Sequence, residues 1–186
     1  MSSKDLFDLT GKVALITGAS RGIGESIART LANYGAHVIV SSRKIDGCEA
    51  VAGSIREAGG RAEAYACHIG EMDQIEGIWA HIEKAHGKLD ILVNNAAFRS
   101  RVPFVDLDDE TWHYTLGAGF QGAYLMCKAS VPDMIERGGG AIIGVGGVGS
   151  YAGQTKRTHA MASKAGLMAL MRGLAIDLGQ HNIRAN

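Results

Sequence analysis

The stretch Val13-Ala-Leu-Ile-Thr-Gly-Ala-Ser-Arg-Gly-Ile-Gly24 joins a short apolar run to a glycine-rich turn. Val13 to Thr17 shows no polar alternation, which is the pattern of a strand buried on both faces. Beyond the turn, Ile23, Ile27, Ala28 and Leu31 recur at close to 3.6 residues, so an amphipathic helix follows directly. A helix that begins at the end of a parallel strand points free backbone N–H groups and the positive end of its dipole outward, where a pyrophosphate would sit. Within that turn Gly18 allows the tight reversal, Gly22 lets backbone come near the phosphates, and Gly24 lets the helix pack closely on the sheet.

Working outward, similar apolar runs occur at His37 to Ser41, Ala62 to Cys67, Leu89 to Asn94 and Ala141 to Gly146. Segments of helical period separate them, for example Ile75, Ile78, Trp79 and Ile82. Alternating strands and helices predict βαβ units and a Rossmann-type doubly wound parallel sheet flanked by helices, a three-layer α/β/α architecture. Arg99 to Asp109 reads as an irregular connection before a helix capped near Asp108 or Asp109. The last helix is expected over about Ala162 to Leu178 with a Gly179 cap, and Asn182 to Asn186 as the start of another strand. The whole of residues 1–186 is expected to be a single dinucleotide-binding domain.

Composition narrows the function. With 46% hydrophobic residues the chain can bury a sizeable core, and 19 basic residues balance 19 acidic ones, which argues against a nucleic acid or an anionic membrane as partner. Cys48, Cys67 and Cys127 are scattered, a pattern of reduced thiols with neither a disulfide framework nor a metal cluster, and a cytoplasmic location is expected. Met1 to Thr10 lacks the apolar centre of a signal peptide. No metal ligand set is evident.

At the end of the second strand, NAD-preferring domains place an acidic residue for the ribose 2′-OH, but here stands Ser41-Ser42-Arg43-Lys44. That basic end suits a 2′-phosphate, and Arg21 in the glycine turn can approach the same group, so NADP(H) is expected over NAD(H).

The motif Thr17-Gly-Ala-Ser-Arg-Gly-Ile-Gly24, taken with Asn94-Asn-Ala-Ala97 and Lys164, resembles the short-chain dehydrogenase/reductase (SDR) family, in particular its 3-oxoacyl-ACP-reductase-like members, from about Leu9 to Asn186. The resemblance implies that Gly18, Ser20, Arg21 and Ile23 line the phosphates, with Gly22 and Gly24 in the same turn and Arg43 beside Ser42 at the 2′-phosphate. It also implies that His68 and Ile69 flank the adenine, although the family commonly has Asp or Asn at the position of His68. Asn95, followed by Ala96, would lie near the nicotinamide ribose; equally, the Asn94-Asn95 pair would tie strands together through side-chain amides.

Members of that family move a hydride between the nicotinamide and a carbonyl or alcohol carbon. A Tyr serves as general acid/base, a Lys four residues on lowers its pKa, a Ser holds the substrate oxygen, and an Asn supports a proton relay. Lys164 matches the lysine, but the other three positions fall on Ala160, Gly147 and Gly119. Ser163 faces a different side of the helix and reads as structural. His159 and Tyr151 are the candidates to replace the missing acid.

Two readings follow. The first is an NADP(H)-dependent oxidoreductase acting on a small carbonyl or alcohol with a rewired proton donor. The second is a catalytically degenerate NADP(H)-binding module that acts through assembly or sensing. The resemblance further implies a homo-oligomer, dimer or tetramer, formed through the helices near Phe120 to Arg137 and Ala162 to Leu178. It places the segment that closes the substrate pocket, and a last strand, beyond Asn186, so the chain is either a fragment or a domain without that edge strand.

Overall fold

In the computed structural model, which describes residues 6–186, six strands form one sheet. They are β1 (Val13–Thr17), β2 (His37–Ser42), β3 (Arg61–Ala66), β4 (Ile91–Asn94), β5 (Gly140–Gly144) and β6 (Ile183–Ala185). Their order is β3-β2-β1-β4-β5-β6, and every pairing is parallel. The crossovers carry α1 (Gly22–Asn33), α2 (Ile45–Glu57), α3 (Met72–His86), α4 (Asp109–Leu116), α5 (Gly122–Glu136) and α6 (Thr158–Leu178). The order reverses between β1 and β4, so their C-terminal ends open a crevice where ligands of such sheets bind. Met1 to Asp5, the first half of the N-terminal stretch that lacks a signal-peptide centre, lies outside the described residues.

Alternation along each strand sends side chains to two cores. Leu15 and Leu92 pack with Ile75, Ile78 and Ile82 of α3 and Met126 of α5, whereas Ala14, Ile16 and Val93 pack with Ala28 of α1 and Val51 and Ile55 of α2. The three cysteines are buried and free, and burial pushes the Cys67 and Cys127 thiols up to about 11. No helix among the described residues is long and apolar enough to cross a membrane.

Several boundaries differ from the sequence reading. Leu89 is fully buried but precedes β4, and β5 ends at Gly144 rather than Gly146. The last helix begins at Thr158, four residues before Ala162, on an Arg157 cap whose side chain makes no capping hydrogen bond. Gly179 does not cap it in the left-handed conformation. The chain continues through a 3₁₀ turn, Gly179–His181, and the left-handed residue is Asn182 at φ 59°, whose amide donates to the Gly138 carbonyl at 3.3 Å. Asparagine enters that conformation more readily than most residues, and here its amide is held by the distant Gly138 carbonyl. The helix expected from Phe120 starts instead as a π-helical turn, Gly117–Gln121, that runs into α5. Asp108 does cap α4: its carboxylate accepts from the Thr111 amide at 2.6 Å.

Candidate functional site

The three glycines of the β1–α1 turn meet three different constraints. Gly18 has φ +64°, and a Cβ there would lie 2.8 Å from the Ala96 Cα. Gly22 has φ +62° and faces open space, with no atom within 4 Å of a Cβ. Gly24 lies in α1, yet its Cβ would stand 2.5 Å from the Gly18 carbonyl oxygen and 2.9 Å from the Ala19 Cα. Around this turn Ala19 donates its N–H to the Ser41 carbonyl at 2.9 Å, which docks it on β2. Ser20 is half-buried, whereas Arg21 and Ile23 are exposed at the mouth of the turn.

Asn95 joins the turn to β4. Its Nδ2 donates to the Thr17 and Gly18 carbonyls at 2.9 and 3.0 Å, while Thr17 Oγ1 accepts the Asn95 and Ala96 amides at 3.1 and 3.2 Å. This is the strand-tying geometry, and it commits Nδ2, leaving any ribose contact to Oδ1. Asn94 Nδ2 reaches Cys127 Sγ at 3.4 Å, and its Oδ1 is buried without a partner among the described residues.

At the basic end of β2, Arg43 is exposed and its guanidinium donates to the Tyr114 hydroxyl. Ser42 is half-buried at the strand end. Tyr114 stands edge-on to Phe98 at 4.9 Å and near the His68 ring at 6.1 Å. His68 turns inward on its own loop: its Nδ1 accepts the Gly70 amide at 3.1 Å, and Ile69 beside it is buried. Nothing in the local sequence of Trp112-His-Tyr114 announces that this tyrosine meets Arg43, 71 residues away.

A second cleft lies beyond the crevice, lined by Phe98, Arg99, Gly147, Arg157, Ala160 and Lys164. Lys164 is half-buried and donates to the Val145 carbonyl just past β5. Burial, helped by the neighbouring positive charge of Arg99, pushes its pKa down to about 8. Ala160 lies one helical turn before it on the same face. Gly147 is extended and open, with no atom within 4 Å of a Cβ. Gly119 is buried in the π-helical turn, where a Cβ would run into the Ser163 hydroxyl; Ser163 thus fills that space.

The two candidate replacement acids are placed very differently. His159 is fully buried in the first turn of α6, with Nε2 2.7 Å from Ser100 Oγ and Nδ1 unpartnered among the described residues, and it is absent from the cleft wall. Tyr151 is 76% exposed on the loop after β5, on an adjoining apolar hollow with Gly147, Val148, Leu167 and Met171.

A family profile described as short chain dehydrogenase matches residues 12–186. The chain belongs to the short chain dehydrogenase family. Among its relatives, human "Dehydrogenase/reductase SDR family member 4" is 38% identical over 182 residues, covering 96% of this chain and 64% of that protein. The chain therefore spans just under two thirds of that relative's length. "5-keto-D-gluconate 5-reductase" of Escherichia coli K12 is 33% identical, with 98% and 72% covered. Of solved short chain dehydrogenase structures, a metagenomic short-chain oxidoreductase in complex with NADP superposes with a TM-score of 0.91 at 36% identity, covering 95% of this chain and 80% of that one. A gluconate 5-dehydrogenase from Burkholderia cenocepacia, in complex with NADP and tartrate, gives 0.93 at 31%, covering 100% and 72%.

Proposed function

We propose that this chain binds NADP(H), in preference to NAD(H), across the C-terminal ends of β1 and β2, and that the protein reduces a small carbonyl compound or oxidises the matching alcohol. The observation that carries the reading is the joint placement of the open Gly22 backbone at the helix start, Arg43 at the end of β2 and the half-buried Lys164 of α6, whose ammonium reaches the Val145 carbonyl just past β5. No side chain occupies the space in front of Gly22, so the turn has room for a pyrophosphate against the α1 amides. Arg21 and Arg43, both exposed, supply guanidinium groups to a 2′-phosphate. When bound, the nicotinamide supplies the hydride. Lys164 holds the ribose from the α6 side, and Tyr151, exposed on the hollow that shares Gly147 and Val148 with the cleft, is the proton donor this reading favours over the sealed His159.

Arg99, Arg157 and Lys164 give the cleft a cationic wall, which suits a substrate that carries a carboxylate. The relatives named for a keto-gluconate and a gluconate, one of them crystallised with tartrate, support that class. Self-association through α5 and α6, which expose Tyr124 and Ile176, belongs to the same proposal.

Ala160, Gly147 and Gly119 favour a second reading, an NADP(H)-binding module without fast turnover. Titration with NADPH and NADH, followed by single-turnover oxidation with anionic and neutral ketones, separates the two. NADPH binding at least about tenfold tighter than NADH is expected from one charge-assisted bond pair. Ketone-dependent oxidation that Tyr151→Phe abolishes supports the enzyme; tight binding without oxidation supports the module. Equal affinity for both cofactors overturns the NADP(H) preference.

The Lys164 pKa sets a pH dependence. Its ammonium attracts the ribose only while protonated, so the part of the affinity that Lys164 contributes is full below about 8 and lost as pH rises through that value. NADPH binding is expected to weaken by up to about tenfold per pH unit above that point. Lys164→Met should flatten the profile; a wild-type affinity constant to pH 9.5 would exclude Lys164 from the site.

A further inference from the structure

At the end of the sheet opposite the glycine turn, side chains from three elements converge. His37 opens β2, Glu63 lies within β3, and His86 closes α3. One ligand-capable atom from each lies within 4.8 Å of the other two. His86 Nε2 is 2.7 Å and His81 Nε2 3.1 Å from the same oxygen, Glu63 Oε1. The His37 ring packs on the His86 ring with centroids 4.5 Å apart, and His37 Nε2 is shut off from solvent with no hydrogen-bond partner among the described residues.

Side chains alone do not satisfy this cluster. A buried imidazole nitrogen without a partner is a cost that native structures rarely carry unrelieved. Two imidazoles and a carboxylate are the donor set of a borderline divalent transition metal such as Zn²⁺, not of Mg²⁺. Arg61 is the opposing charge nearby, and its guanidinium is tied to the Gly35 carbonyl at 2.6 Å.

We propose that His37, Glu63 and His86 bind one Zn²⁺-class cation, with water in the fourth position and His81 as a positioning residue that orients Glu63. Ligand bonds of about 2.0 to 2.2 Å bring tetrahedral donors to roughly 3.4 Å apart. Binding draws the donor atoms, now within 4.8 Å of one another, in to that spacing. The site joins α3 to β3, the edge strand, which among the described residues pairs with β2 alone. Ser42 lies five residue steps beyond His37, about 16 Å along β2, so the metal lies away from the hydride chemistry and acts as a brace.

The test titrates the whole, chelator-treated chain with Zn²⁺ by calorimetry and with Co²⁺ by visible absorption. One equivalent at micromolar affinity or tighter is expected, with tetrahedral Co²⁺ bands and a melting temperature raised by several degrees. Glu63→Gln, which keeps the side-chain volume, and His86→Ala are expected to weaken binding at least about 100-fold, and His81→Ala about 10- to 100-fold. NADPH affinity should be unchanged in all three. Absence of stoichiometric binding by the folded chain overturns the proposal. So does binding that survives Glu63→Gln combined with His37→Asn, which would assign the metal to other surface histidines.

Discussion

Restoring a phenol and a hydroxyl together, as Ala160→Tyr with Gly147→Ser, is expected to raise carbonyl reduction by about 10² to 10⁴ over the chain's own rate. Position 160 lies one helical turn before Lys164 and shares its cleft, so a tyrosine there brings its phenol beside the ammonium. Lys164 is charged below about 8, and a neighbouring positive charge lowers a phenol pKa toward the working range of a general acid. Position 147 accepts a side chain without cost, because its backbone is extended and nothing stands within 4 Å of its Cβ. A hydroxyl there donates to the substrate oxygen as charge develops on it, an effect of about 10² to 10³ on its own that does not simply multiply with the first. Gly119 is best left alone, since any side chain meets Ser163. The measurement is single-turnover NADPH oxidation in the parent, the double variant and the double variant carrying Lys164→Met. No gain at unchanged NADPH affinity would mean that the nicotinamide carbon is not presented to this cleft.

Val13 to Thr17 was legible because a strand buried on both faces leaves an unbroken apolar run and a glycine turn marks its end. The doubly wound parallel sheet came with the alternation of strands and helices, whereas the strand order that places the switch point between β1 and β4 did not. The start of α6 was not legible: Arg157 offers no capping side chain, so the four residues before Ala162 carry no start signal. The left-handed close at Asn182 was hidden by Gly179, the more usual residue for it. The π-helical turn was masked by Gly117 and Gly119, and its form answers to packing against Ser163 and Gly166, far along the chain. The same holds for Tyr114 at Arg43, Arg99 near Lys164, and the three histidines around Glu63. Each is an ordinary polar residue until the fold assembles it, so no local spacing could have announced it. The empty catalytic positions, by contrast, were visible only through the resemblance, which supplied the places at which to look.

Gly24→Ala is expected to destabilise the chain by about 2 to 5 kcal/mol, far more than Gly22→Ala in the same turn. At Gly24 the obstacle is backbone: the added methyl meets the Gly18 carbonyl and the Ala19 Cα, which cannot swing aside. It also meets Asn95 Nδ2, and displacing that amide breaks its bonds to the Thr17 and Gly18 carbonyls, each worth about 0.5 to 1.5 kcal/mol. The loss therefore spreads from α1 to the β1–β4 junction, and NADPH cannot restore it without first re-forming the turn. At Gly22 nothing lies within reach of the methyl, so the cost is the left-handed backbone alone, about 1 to 2 kcal/mol, while the methyl intrudes on the space proposed for the pyrophosphate. Urea unfolding and NADPH titration of the two variants should thus diverge, Gly24→Ala losing mainly stability and Gly22→Ala mainly affinity. Equal destabilisation by both would mean that conformational preference, not the close approach of α1 to β4, makes glycine necessary at position 24.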